Sequence, residues 1–130
     1  KAIKRIIQVK KEREILIHTR SSLLQGLLTT NSVGKWKKAN ENSPEIIIKW
    51  INDKVEKFDR IGNIDLCLGF LRSQSWIDGI VIGMDSLEQL QDNIMYFDQP
   101  LLKKNEINEI YNTRPLLNEN TLDPIRWNVL

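Results

Sequence analysis

The chain reads as an α/β fold that holds only part of its sheet, and three observations predict this. Two short apolar runs, Ile15 to His18 and Ile77 to Ile82, have the length and composition of buried strands. Long segments of helical periodicity separate them, so they should pair in parallel through a right-handed crossover. Both runs are apolar almost throughout, as in strands covered on both faces. Yet two strands are too few for a stable parallel sheet. The expectation is a piece of a larger α/β domain that exposes apolar surface where further strands belong.

Each element follows from local signals. Lys1 to Glu14 reads as a helix, with Ile3, Ile6 and Ile7 on one face and basic residues around the rest. After the first strand, Thr19 to Leu28 is a turn that re-enters apolar sequence at Leu23. Thr29 to Asn42 is polar, carries Gly34, and reads as a loop or irregular helix. Ser43-Pro44 starts a helix, with a good N-cap followed by proline at the first helical position. Ile47, Ile51, Val55 and Phe58 form its apolar stripe. Gly62 and Asn63 interrupt, and Ile64 to Ser73 resumes as a helix with Leu66, Cys67, Phe70 and Leu71 available for burial. Beyond the second strand, Ser86 and Gln89 form a capping box. Leu87, Leu90, Ile94 and Phe97 are the apolar face of the helix it opens. Asn105 to Tyr111 is one more short helix, and residues 112–130, with Pro115 and Pro124, read as an irregular tail.

Bulk properties exclude several classes. A net charge of +2 over 130 residues gives no global field for nucleic acid or a membrane surface. No apolar run approaches the roughly 20 residues of a bilayer span, and the start lacks a signal-peptide core. Cys67 is the single cysteine, so no internal disulfide forms, and a cytoplasmic setting is expected. Residue 1 is Lys, so the chain is expected to begin downstream of its gene's start.

Two turns carry the chemistry. One runs from His18 to Leu28 and the other from Gly83 to Asn93, each at the carboxyl end of a strand. Ligands of parallel α/β folds bind at that end. In the second turn an apolar strand meets a glycine and a capped helix at once, a route to an anion site at a helix N-terminus. Together the two turns can clamp an extended, phosphate-bearing ligand. A phosphorylated substrate satisfies the same residues as well as a dinucleotide does.

The residues of these turns resemble a known family. Arg20-Ser-Ser-Leu-Leu-Gln-Gly-Leu-Leu28 is similar to the loop after strand seven of aldo-keto reductases, usually aromatic-Ser-Pro-Leu-Gly-x-Gly-x-Leu. Val81-Ile-Gly-Met-Asp-Ser-Leu-Glu-Gln-Leu-Gln-Asp-Asn93 is similar to the strand-eight signature. Leu122-Asp-Pro-Ile-Arg-Trp127 resembles a C-terminal ending of one branch. The resemblance implies the last two strands of a (β/α)8 TIM barrel, residues 1–130 being its C-terminal portion. Its partners would be the missing N-terminal barrel half, a nicotinamide cofactor (NADPH or NADH) and a small carbonyl substrate. It implies a reductase that transfers hydride to an aldehyde or ketone. The catalytic Asp, Tyr, Lys and His would lie outside this chain, so no catalytic residue is assigned and the chain alone is expected to be inactive.

The cofactor positions carry over residue by residue. Arg20 stands where the family places the aromatic residue that stacks on nicotinamide, and a guanidinium plane also stacks. Ser21, Leu23 and Gln25 match positions that reach the pyrophosphate. Gly83, Met84, Asp85 and Ser86 match the loop around the adenosine ribose and its 2′-phosphate. Gln89 falls where members that prefer NADPH carry an arginine, and Asp92 and Asn93 match the pair that contacts adenine. A 2′-phosphate favours Arg or Lys, whereas a carboxylate suits free ribose hydroxyls. Tolerance of, or preference for, NADH is therefore expected.

Other residues read more plainly. His18 suits a satisfied core or rim position, although it ends a strand that would line the barrel. One His and one Cys at distant positions make no metal site. Cys67 reads as a small core residue rather than a nucleophile, with no His near it in sequence. Lys1, Lys4, Arg5, Lys10, Lys11 and Arg13 form a basic segment diluted by Glu12 and Glu14, read as a solvated face rather than a nucleic-acid patch. The four tryptophans are irregularly spaced, which gives no stacking platform. The competing class of function is a non-catalytic truncated barrel that acts as a binding or scaffold module.

Overall fold

A computed structural model describes residues 2–128. Helix α1 spans Ala2–Glu12 and leads to strand β1, His18–Thr19. A turn and a short 3-10 segment (Leu27–Thr29) precede α2, Val33–Lys38. Helices α3 (Pro44–Lys57) and α4 (Asn63–Arg72) follow, then strand β2, Gly79–Ile80. Helix α5 covers Leu87–Phe97 and α6 covers Lys104–Thr113, and a 3-10 turn at Pro124–Arg126 lies near the end. The architecture is α/β and mostly helical, with two parallel strands as the spacing of the apolar runs predicts. His18 pairs with Gly79 and Thr19 with Ile80.

The strands are shorter than the apolar runs. With one neighbour each, their pairing reaches only from Ile17, whose carbonyl accepts the Asp78 and Gly79 N–H groups, to Val81, whose N–H donates to Thr19. The expected burial of both runs is corrected too. Leu16 is 79% and Val81 56% exposed. Both strands have an open edge, because nothing among the described residues pairs beyond β1 or β2.

The core lies among the helices instead. Leu27, Trp36, Ala39, Ile47, Ile51, Leu66, Leu102 and Ile110 form one buried cluster, with Val55 and Phe58 packed against it. The stripe on α3 therefore faces inward as its spacing predicts. On α4, Leu66 and Leu68 are the fully buried apolar residues, while Cys67, Phe70 and Leu71 are half-buried. The segment expected to be loop or irregular helix holds α2. Ser32 caps it by accepting the Lys35 N–H, and Trp36, 0% exposed, donates its indole N–H to the Thr30 carbonyl.

Two polar devices lock the helices. The Arg60 guanidinium and Asp65 carboxylate form a buried ion pair at the α3–α4 corner. Arg60 also donates to the Pro100 carbonyl at 2.7 Å, and Asp65 accepts the Ile61 N–H at 3.1 Å. Glu41, itself buried, gathers the chain end. One carboxylate oxygen accepts from the Asn42 and Ser43 N–H groups, and the other accepts from Asn118 N–H and the Thr121 hydroxyl. The tail is irregular as expected but firmly attached, and it starts at 114 because α6 runs to Thr113. Thr121 is wholly buried, and Asn128 N–H donates to the Lys38 carbonyl. Lys1, assigned to the first helix by its sequence, and the last two residues of the tail lie outside the described residues.

The apolar face of α5 is a further correction. Leu87, Leu90, Ile94 and Phe97 are all exposed, and no residue of α5 is buried. The helix packs on α4, with the Arg72 guanidinium 5.6 Å from the centre of the Phe97 ring, yet Leu87 and Ile94 of its apolar stripe stay largely exposed. No helix of the described residues is long and apolar enough to cross a membrane.

Candidate functional site

The parallel pairing of β1 and β2 places the turns that follow them side by side. Between them lies a cleft of about 590 Å³. From the first turn come Ser21, Leu23 and Gln25, together with Ser22 and Gly26. From the second come Gly83, Met84 and Asp85. Gln89, Asp92 and Asn93 reach it from α5, and Ile64 and Tyr96 complete its apolar side. Nine of the eleven positions singled out from the sequence thus share one cavity. Arg20 and Ser86 are not in the lining. Arg20 is exposed at the end of β1.

The first turn has an unusual backbone. Ser21, Leu24 and Gln25 adopt φ of 57°, 48° and 54°, and Gly26 follows at 78°. The left-handed region costs an L-residue roughly 1–2 kcal/mol, so the native contacts of the turn hold it there. Leu24 N–H donates to the Ser21 carbonyl, Leu27 to Leu24 and Leu28 to Leu23. The N–H groups of Ser22, Leu23, Gln25 and Gly26 find no acceptor among the described residues. Successive free N–H groups in such a turn form an anion-binding concavity. The Ser22 hydroxyl oxygen is buried in the same turn, also without a partner. A buried hydroxyl left unpaired is costly, which points to a ligand oxygen or water there.

The second turn is built around the start of α5. Ser86 is the N-cap and accepts the Gln89 N–H at 3.2 Å. The return arm of the predicted capping box is displaced by one residue, since Gln89 accepts from the Asp85 N–H at 2.7 Å. Ser86 therefore serves to shape the turn. Glu88 is exposed and its carboxyl sits below the usual range, because it accepts its own backbone N–H and the Ser86 hydroxyl. The turn is accordingly acidic at its rim, with Asp85, Glu88 and Asp92 close in sequence.

The remaining candidates stay outside the cleft. His18 covers Gly79, where a Cβ would lie 2.8 Å from the imidazole Cδ2, so it is a rim residue that uses the bare glycine of the neighbouring strand. Burial pushes the Cys67 thiol up to about 12, so it stays protonated at neutral pH. Among the described residues no three metal-ligating side chains come together. Lys10 is held by Asp78 at 2.5 Å, and Asp78 also accepts the Ile17 N–H at 2.8 Å, which ties α1 to the opposite end of the strand pair.

The sequence assigned no site role to Ser22, Gly26, Ile64, Val81, Ile82 or Tyr96, which also line the cleft. Gly26 was legible as a turn glycine, and Ser22 stands between two assigned neighbours. Ile64 comes from α4, where no local pattern marks it, whereas Tyr96 follows Gln89, Asp92 and Asn93 at helical spacing on α5. No family model, curated protein or solved structure matches the chain.

Proposed function

We propose that the cleft between the two turns grips a nicotinamide dinucleotide, and that the chain is the cofactor-binding C-terminal part of an aldo-keto reductase barrel. One observation carries the reading. Two motifs some sixty residues apart in sequence, similar to the strand-seven and strand-eight signatures of that family, line one cavity. Its size falls within the roughly 300–1,000 Å³ range of ligand pockets. The turn at 21–26 offers uncharged N–H donors and the Ser22 hydroxyl, a donor set that suits a pyrophosphate. Asp92 and Asn93 lie farther along α5, on the adenine side in this reading.

The open strand edges and bare face of α5 support the barrel part of the proposal. Leu16, Val81, Leu87 and Ile94 are exposed where further strands and helices of a barrel would cover them. This chain's own work is to bind and orient the cofactor. The bound nicotinamide would supply hydride to an aldehyde or ketone, with the general acid contributed by the rest of the barrel. The test is a titration of the full-length protein with NADH and with NADPH, followed by nicotinamide fluorescence. Saturable binding, and carbonyl-dependent oxidation of the reduced cofactor, are expected. Binding of neither cofactor refutes the proposal.

A further inference from the structure

The tail is held firmly but at few points. Its one regular turn is Pro124–Arg126, and Leu116, Leu122 and Ile125 stand exposed and add little hold. Leu117 and Trp127 pack on the core. Its polar attachments to the body converge on residues 38–41. Glu41 Oε2 accepts the Asn118 N–H at 3.2 Å and the Thr121 hydroxyl at 3.3 Å. The Asn40 side chain donates to the Arg126 carbonyl at 2.7 Å and accepts from the Asn128 side chain at 3.0 Å. The Lys38 carbonyl accepts the Asn128 N–H at 2.9 Å. Glu41 has no ion pair among the described residues, and both of its oxygens serve hydrogen-bond donors. A run of hydrogen bonds leads from the same residue to the cleft. Glu41 N–H donates to the Trp36 carbonyl, the Trp36 indole N–H to the Thr30 carbonyl, Thr30 N–H to the Leu27 carbonyl and Leu27 N–H to the Leu24 carbonyl. Leu24 is one of the residues held at positive φ, and it packs on the same cluster as Leu117 and Trp127.

We infer that residues 115–128 form a strap that opens as one unit, that Glu41 is its latch, and that the closed strap braces the left-handed turn at 21–26. The inference goes beyond the dinucleotide reading, since it needs the turn and not its ligand. A segment with few buried apolar contacts opens locally, at less cost than the whole molecule. Residues in a sparsely populated backbone region stay there only while their surroundings over-determine them. Part of those surroundings is the cluster on which the strap closes, so an open strap frees the turn to relax. The latch needs a carboxylate, because only a carboxylate accepts at both oxygens. In Glu41→Gln the amide NH2 faces donors whichever way it is turned: the Asn42 and Ser43 N–H groups on one side, the Asn118 N–H on the other.

The experiment is amide hydrogen exchange of the full-length protein without ligand, in low concentrations of urea, for the native chain and Glu41→Gln. In the native chain the Asn118, Thr121 and Asn128 amides should exchange through one shared opening, at least about tenfold more frequent than the one that exposes Ile51 in α3. That opening bares little surface, so it should depend weakly on urea, whereas exchange at Ile51 should depend steeply. Glu41→Gln should speed the strap amides by at least about tenfold. The Leu24 and Leu27 amides should speed up by the same factor and keep the weak urea dependence. Thr121→Val, which removes one latch bond and keeps the volume, serves if the glutamine variant fails to fold. Strap amides that exchange only at the rate and urea slope of Ile51 overturn the strap. Strap rates unchanged in the folded variants overturn the latch, and turn amides that do not follow the strap overturn the brace.

Discussion

Asp65→Asn is the substitution whose cost the structure fixes most directly. The Asp65 side chain is 1% and the Arg60 side chain 5% exposed. The carboxylate holds the guanidinium on one oxygen and the Ile61 N–H on the other. An amide keeps the volume but removes the charge, leaving a buried guanidinium facing a neutral group. Breaking a buried pair from one side costs about 3–5 kcal/mol. With a urea m-value of about 2 kcal/mol/M, the unfolding midpoint should fall by about 2 M. The assay is urea unfolding of the full-length protein followed by tryptophan fluorescence, since Trp36 is buried in the same core cluster as Leu66, the neighbour of Asp65 in the chain. Arg60→Met combined with Asp65→Leu should be more stable than Asp65→Leu alone, because no charge is then stranded. Full recovery is not expected, as Arg60 also serves the Pro100 carbonyl. A midpoint shift under about 0.5 M for Asp65→Asn would refute the assignment of this pair as the lock of the corner.

Gly79→Ala should destabilise by about 1 kcal/mol, the low end of overpacking, because the His18 ring it strikes is on an exposed rim and can move. In a His18→Ala background the penalty should vanish by the same unfolding assay. Gly26→Ala should cost about 1–2 kcal/mol from backbone alone, since φ is 78° and the nearest atom to the new Cβ is 4.0 Å away. It should also weaken dinucleotide binding, measured by titration. Asp78 sits below the usual aspartate range, first because Lys10 donates to it and then because Ile17 N–H does, and Glu109 is lowered by Lys54 and Lys57. A lowered folded-state value gives stability that is present above the ordinary carboxylate range near pH 4 and lost as pH falls through the folded value. The urea midpoint should therefore drop on acidification below about pH 4, and less steeply in Asp78→Asn.

What the sequence reveals and what it hides divide by range of interaction. Helix α3 was legible because Ser43-Pro44 and the stripe from Ile47 to Phe58 are local signals, and the packed core uses that stripe. The parallel pairing follows from the spacing of two apolar runs. The cleft followed from two motif-bearing turns once those strands were adjacent. By contrast, Trp36 at the centre of the core hides among Lys35, Lys37 and Lys38, in a helix of six residues whose one local mark is Ser32. Glu41 is a buried tether only because Asn118 and Thr121 return to it from far along the chain. The apolar face of α5 has the periodicity of a buried helix, and its exposure is set by what packs there, which periodicity does not record.

The central claim is that the turns at 21–26 and 83–93 hold a dinucleotide. Amide chemical-shift mapping of the full-length protein with NADH tests it directly. The largest shifts should fall on Ser22, Leu23, Gln25, Gly26, Gly83 and Met84, the amides of both turns at the cleft. Shifts confined to other surfaces, such as the groove from Lys10 to Leu16 at the opposite end of the strands, would contradict it, as would none at saturating NADH.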